Sequence, residues 1–372
     1  IQLVLILLVL FTPVSYASEV TYRNAIASAH PLATDAGMEI LSEGGNAFDA
    51  AITVAAVLAV VEPYAAGIGG GGFWLLHRTS DNKRVMVDGR ERAPLDASRD
   101  MYLDAEGKVI PGLSLDGALS AAIPGQVAAM THIHRHYGSL SLQRLLAPAI
   151  RYAEQGFVVD RVYRKLANVR LGVLERFPSS AIIFLSDGEI PAEGTVIKQP
   201  ELAETFRRIA YQGRDGFYRG ETAEQLVDGV RAAGGIWSLE DLARYQVIER
   251  QPVTLEWSNL RITLASLPSS GGIVIAQILN MLHELGWSEH NESQRIHLLV
   301  EAMRRAYRDR AQYLGDSDYV SVNVGRLTSR QHARQLVQDL EPDQATPSEF
   351  LAPVSVRLEE GSDTNHYSIL DK

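Results

Sequence analysis

The run from Ala47 to Val61, AFDAAITVAAVLAVV, is apolar around the whole helical circumference. A surface helix keeps a polar face, so a helix without one has to be enclosed by the rest of the chain. This segment therefore sets the centre of the fold. Asn46 supplies an N-cap in front of it and Pro63 a stop behind it. With 46% hydrophobic and 22% charged residues among 372, enough apolar material remains to wrap such a helix. The length suits two domains or one large α/β domain.

Helical and strand patterns alternate around this centre. Thr34 is a candidate cap for a helix through Ile40-Leu41, with Gly44-Gly45 at its end. Phe73 to His77 reads as a strand and Arg84 to Asp88 as its hairpin partner. Residues 120–245 read as mostly helical. An apolar strand, Arg261 to Leu267, precedes an apolar helix, Ile273 to Leu285. Ile296, Leu299, Met303, Tyr307 and Leu314 recur at helical spacing and mark a helix near 294–314 with an Arg-rich outer face. No repeat or linker divides the chain, and the fold class is α/β (α+β).

Several function classes are excluded. The net charge is −10 with no basic stripe, unlike a nucleic-acid-binding surface. There is no cysteine, so disulfides, zinc ribbons and thiol catalysis are ruled out. The histidines form no H-E-x-x-H or similar cluster, and neither a metal nor a cofactor is expected. The apolar run Ile1 to Phe11 is shorter than the roughly 20 residues of a membrane span. Followed by Ser15-Tyr16-Ala17, it reads as a signal peptide over residues 1–17. Export to a bacterial periplasm or beyond is the expected location.

Three segments carry candidate chemistry. Gly67 to Gly72 satisfies G-x-G-x-x-G, but a helix precedes it and a strand follows, the reverse of a dinucleotide fingerprint. So many glycines imply either positive φ angles or a close approach to another element. Arg90, at the end of the second strand, is either a clamp for a carboxylate or part of a solvated charge cluster. Ser269-Ser270 reads as a helix cap. Near the end stands Asp363-Thr364-Asn365-His366-Tyr367-Ser368. If the bond before Thr364 is cut, one residue carries both a hydroxyl and an amine, a nucleophile with its own base. Otherwise Thr364 is a β-branched strand former.

Taken in order, these pieces resemble the γ-glutamyltranspeptidase (glutathione hydrolase) family from about residue 20 onward. The residues that carry the resemblance are Gly44 to Ala51, Gly67 to Phe73, Arg90-Glu91 with Ala93-Pro94, and Ser98 to Tyr102. Further on, Ile123-Pro124-Gly125, Pro268 to Gly272, Glu301-Ala302, Ala306-Tyr307, Asp309-Arg310 and Asp363 to Ser368 match as well. Two positions depart from the family: Asn365, where Thr or Ala is usual, and Gly89, where an aromatic is frequent.

The resemblance implies an N-terminal nucleophile hydrolase with a four-layer α-β-β-α sandwich. It implies self-cleavage between Asp363 and Thr364, with Thr364 the nucleophile and Arg90 the ligand of the substrate α-carboxylate. Residues 18–363 would be the large subunit and 364–372 only the start of the small subunit. The partners would be glutathione and other γ-glutamyl compounds, an amino-acid or water acceptor, and the chain's own small subunit. Without that subunit the chain is expected to be inactive. The alternatives are a glutaryl-cephalosporin acylase of the same family and an exported solute-binding protein.

Overall fold

The structure is a computed structural model that describes residues 24–351 and 364–372. The expected signal peptide and Asp363 lie outside the described residues. The helix Ala47–Val61 forms as expected, and every residue from Asp49 to Val61 is buried. Its start is a reciprocal capping box. The Asp49 N–H donates to Asn46 Oδ1 at 2.9 Å, and the Asn46 N–H donates to Asp49 Oδ2 at 3.0 Å. Asp49 also accepts from the Ser139 N–H and hydroxyl, which ties the cap to the turn before the helix Leu142–Gln155.

The helices Pro31–Ser42, Gln126–Tyr137 and Leu142–Gln155 and the strand Ser368–Leu370 surround this helix. Small residues permit the close crossings: a Cβ on Gly37 would stand 2.7 Å from Val54 Cγ2. Thr53, a polar residue in the run, is satisfied by donating to the Leu145 carbonyl at 2.8 Å. Full burial of Ile52, Leu58 and the valines contributes about 1.5–3 kcal/mol per side chain.

The strands Gly72–Arg78 and Lys83–Gly89 form the expected antiparallel hairpin, and Ile248–Arg250 adds a third strand beside the second. Trp74, Leu76, Val85 and Val87 share one sheet face and belong to the same core as the central helix. A short strand that the sequence did not reveal, Ala25–Ala27, pairs antiparallel with Ser368–Leu370. Residues 120–245 are mostly helical, as expected.

Two expectations are corrected. The first long helix starts at Pro31 with His30 as N-cap, its ring nitrogen accepting from the Leu32 N–H. Thr34 lies inside that helix, its hydroxyl 2.7 Å from Ser28 Oγ. Pro31 is the reason: proline suits the first turn, where an N–H has no partner anyway.

The helix Glu292–Tyr313 is turned relative to the sequence reading. Its buried stripe is Leu298, Glu301, Ala302, Arg305, Ala306 and Asp309, and Arg305 is 1% exposed. Ile296, Leu299, Met303 and Tyr307 face outward, Ile296 at 59%. The charges are buried because each is matched. Arg305 donates to Glu301 at 2.5 Å and to the Leu336 carbonyl at 2.8 Å. Asp309 accepts from Gln277 at 2.9 Å and meets His332 at 2.5 Å. The helix thus carries two stripes that fit a helical period, and the one with complementary polar partners is covered by this chain.

Removal of one member of a buried ion pair leaves the other uncompensated. Arg305→Ala should therefore lower stability by about 3–5 kcal/mol. In the 372-residue chain, Ile296→Ser on the outward stripe should stay within about 0.5 kcal/mol. Chemical denaturation of both variants checks which face is inside, and the reverse ranking would contradict the orientation described.

Candidate active site

Arg90 follows the hairpin directly, at the point where Gly72 pairs with Gly89 and Phe73 with Asp88. Its backbone is held from both sides. The N–H donates to Asp88 Oδ1 at 3.0 Å, and the carbonyl accepts from the Tyr245 hydroxyl at 2.7 Å. Two residues on, Arg92 and Ile123 exchange backbone hydrogen bonds of 3.1 and 2.7 Å.

The glycine run explains itself here. None of Gly67 to Gly72 has a positive φ. A Cβ on Gly71 would stand 2.3 Å from the Gly89 carbonyl oxygen and 2.9 Å from the Glu91 nitrogen. The Gly70 carbonyl accepts from the Gly125 and Gln126 N–H groups at 2.9 and 3.0 Å. A Cβ on Gly125 would stand 2.1 Å from the Gly89 oxygen. Close approach is therefore the role of Gly71 and Gly125, and it welds three segments around Arg90, whereas Gly67, Gly69, Gly70 and Gly72 have room for a Cβ.

Charge reinforces the weld. Asp88 is buried and accepts from Arg250 Nε at 2.8 Å on its other oxygen. The same guanidinium grips Asp318 with two bonds of 2.9 and 2.8 Å, which hold the Asp318 carboxyl below its usual range. Tyr245 stacks on Tyr218 at a ring separation of 5.8 Å. The Tyr218 hydroxyl donates to the Pro124 carbonyl at 2.8 Å. Burial pushes both phenols well above their ordinary pKa, so both remain neutral donors.

The Arg90 side chain is not consumed by this network. It is exposed, its Cζ lies 5.8 Å from the centre of the Phe73 ring, and among the described residues its guanidinium has no carboxylate partner. A fixed backbone thus carries a free planar fork, a suitable arrangement for a carboxylate.

Thr364 is exposed and leads into the strand Ser368–Leu370. The strand pairs Ile369 with Ile26 and Leu370 with Ala25. Tyr367 meets the Trp74 ring edge-on at 5.8 Å. Trp74 is the neighbour of Phe73, so one strand supports both the residue under Arg90 and the segment that begins with Thr364. The Asn365 amide donates to Glu62 Oε2 at 2.5 Å, and Asp371 Oδ2 accepts from the Ala47 N–H at 2.7 Å. Glu62 and Ala47 are the two ends of the central helix.

The reading of Ser269-Ser270 as a helix cap is corrected. Ser270 occupies the N-cap position of the helix Gly271–Glu284 but makes no capping bond. Its hydroxyl instead takes Arg310 Nε at 3.0 Å, which fastens the helix start to the helix Glu292–Tyr313. Asp88, Tyr245, Arg250 and Glu62 were missed. Only Glu62 left a trace in the sequence, as the first charge after an apolar helix.

Comparisons with known proteins bear on the family and the fold. The family model described as Gamma-glutamyltranspeptidase matches residues 33–372. The glutathione hydrolase proenzyme of Pseudomonas sp. (strain A14) is 39% identical over 353 residues, 94% of this chain and 61% of that protein. The chain thus spans about three fifths of that relative's length. The crystal structure of Helicobacter pylori gamma-glutamyltranspeptidase superposes with a TM-score of 0.85 at 40% identity, covering 90% of this chain and 97% of that one. The crystal structure of a cephalosporin acylase from Bacillus halodurans gives a TM-score of 0.79 at 29% identity, covering 98% of this chain and 67% of that one. On this sequence match and shared architecture, the chain belongs to the gamma-glutamyltranspeptidase family and has its N-terminal nucleophile hydrolase fold.

Proposed function

We propose that the complete protein transfers or hydrolyses γ-glutamyl groups after cutting itself between Asp363 and Thr364. The observation that carries the reading is the exposed Arg90 guanidinium, without a carboxylate partner among the described residues, on a backbone held by Asp88, Tyr245 and the glycine contacts. It is joined through Phe73-Trp74 to Tyr367, in the segment that runs from Thr364 into the strand Ser368–Leu370. The relative named a proenzyme is matched over 61% of its length, whereas the Helicobacter chain is matched over 97%. That difference is what a mature protein divided near residue 363 would give.

In the precursor, Thr364 Oγ attacks the Asp363 carbonyl, and an N→O shift leaves an ester. The shift itself releases the Thr364 amine, and water then hydrolyses the ester to free the Asp363 carboxyl and restore the Thr364 hydroxyl. An α-amine has a pKa of about 7.7–8.0, so part of it is neutral near pH 7 and takes the hydroxyl proton. Thr364 Oγ then attacks the γ-carbonyl of glutathione or a related amide. The leaving amine departs with that proton, and water or an amino-acid amine releases the glutamyl group. Arg90 holds the substrate α-carboxylate throughout. No step calls on a metal or cofactor.

The outward stripe Ile296, Leu299, Met303 and Tyr307 and the exposed Leu75 are the surfaces on which we place the remaining length of the small subunit. The 372-residue chain alone is accordingly expected to show no turnover. Export through the segment 1–17 to the periplasm or medium belongs to the same reading. Among the described residues no helix is long and apolar enough to cross a membrane. A glutaryl-acylase activity, suggested by the Bacillus halodurans structure, uses the same carboxylate clamp. Relative rates on glutathione and on a glutaryl amide separate the two.

Three variants of the complete gene product test the site. Thr364→Ala should remain one uncut chain on a denaturing gel, and the appearance of two chains would remove Thr364 from its role. Arg90→Ala should self-cleave normally but raise KM about a hundredfold, the equivalent of about 3 kcal/mol for a charge-assisted contact. An unchanged KM would take Arg90 out of the site. Gly71→Ala places a methyl against the Gly89 carbonyl and should likewise raise KM, by roughly tenfold or more, because it displaces the Arg90 backbone. Steady-state kinetics on glutathione reads both effects.

A further inference from the structure

Glu62 is held in a position that electrostatics opposes. It is 4% exposed and, among the described residues, takes part in no ion pair. It ends the central helix, where the macrodipole presents its negative pole to a second negative charge. Asp160 adds a further like charge nearby, and burial pushes the Glu62 carboxyl above its ordinary pKa. A buried carboxylate without a cation is destabilising unless hydrogen bonds compensate.

The compensation is local and specific. Asn365 Nδ2 donates to Glu62 Oε2 at 2.5 Å, and the nearby Tyr64 phenol offsets part of the burial that raises the carboxyl. Tyr64 is in turn set edge-on against Tyr163 at 6.0 Å. The Glu62 carbonyl accepts from Ala65 and Ala66 at 3.0 and 2.9 Å and so starts the turn that leads into the glycine run under Arg90. One residue thus touches both the turn toward the Arg90 weld and the side chain immediately after Thr364.

We propose that Glu62 is a positioning residue for Thr364, acting through the Asn365 carboxamide. The proposal rests on Thr364 being the nucleophile. The peptide between Thr364 and Asn365 sets the direction of the Thr364 Cα–Cβ bond. A carboxylate that fixes the Asn365 side chain therefore limits where Oγ and the new amine can point. Small errors in such placement reduce rates by up to about a hundredfold. Asp160 and Tyr163 face the Glu62–Tyr64 pair from the side of the helix Arg161–Val169.

The test is a double-mutant cycle in the complete gene product with Glu62→Gln, Asn365→Ala and the pair. Self-cleavage is followed on gels, and kcat and KM are measured with glutathione. Glu62→Gln keeps the shape and removes the buried charge, so its melting temperature should equal or exceed the wild type. Its kcat should fall about tenfold with KM within twofold, since Arg90 is untouched. Asn365→Ala should show a similar fall, and the double variant should be no slower than the slower single variant. Multiplying losses would show that the two residues act separately and would overturn the proposal. So would a Glu62→Gln enzyme within twofold of wild-type kcat, or one whose loss is matched by a lower melting temperature. If the wild type itself is not cut before Thr364, the functional reading fails and this inference fails with it. If the wild type is cut and the cycle is additive, only the inference fails.

Discussion

The grip of the buried helix Ala47–Val61 on both ends of the 364–372 segment is the constraint on which the rest depends. Asn365 reaches Glu62 at one end, and Asp371 reaches the Ala47 N–H at the other. The lengths agree. Six residues of extended chain cover about 20 Å, and fifteen helical steps cover about 22 Å. An apolar helix enclosed on all sides cannot shift without opening the core, so the segment it holds inherits that rigidity. The pairing of Ile369 with Ile26 and the contact of Tyr367 with Trp74 fix the remaining freedom, rotation about the segment's own axis.

Arg90 is held by a different device. Its backbone is clasped by glycines at 71 and 125 that let three segments approach closer than any side chain permits. Asp88 then divides its two oxygens between the Arg90 N–H and Arg250. Arg250 relays the connection to Asp318, beyond the helix Glu292–Tyr313. The partially buried Arg250 is saturated by two carboxylates, whereas the exposed Arg90 has none among the described residues. The carboxylates thus reach one of the two arginines and, among the described residues, leave the other open, as the proposed recognition role of Arg90 requires.

Much of this was legible in the sequence, for reasons that differ by element. The central helix, its Asn46 cap and the hairpin followed from patterns that act within a few residues. Motif order identified the family and singled out Arg90 and Thr364 as candidates. The helix Glu292–Tyr313 was misjudged because periodicity ranks stripes by hydrophobicity alone. It cannot see that Arg305 and Asp309 find partners in Leu336, His332 and Gln277, all distant in sequence. His30 displaced Thr34 as a cap because Pro31 fixes where the first turn begins. The strand Ala25–Ala27 is too short to announce itself and exists through its pairing with a segment more than 300 residues away.

The two carboxylates on the central helix differ in physical consequence. Asp371 stands at the N-terminal, positive end, where an anion gains about 0.3–1 kcal/mol from the helix dipole. Glu62 stands at the opposite pole, buried, where the same field works against it. The favourable contact fixes the part of the segment remote from Thr364, and the unfavourable one lies beside it. A sequence selected only for stability would place a neutral residue at position 62, since Gln still accepts from Asn365 without a buried charge. A neutral amide is a weaker acceptor than a carboxylate, and charge-assisted bonds are roughly twice as strong as neutral ones. On the proposed role of Thr364, the charge at Glu62 tightens the Asn365 contact at the expense of local stability, beside the hydroxyl whose placement that role requires.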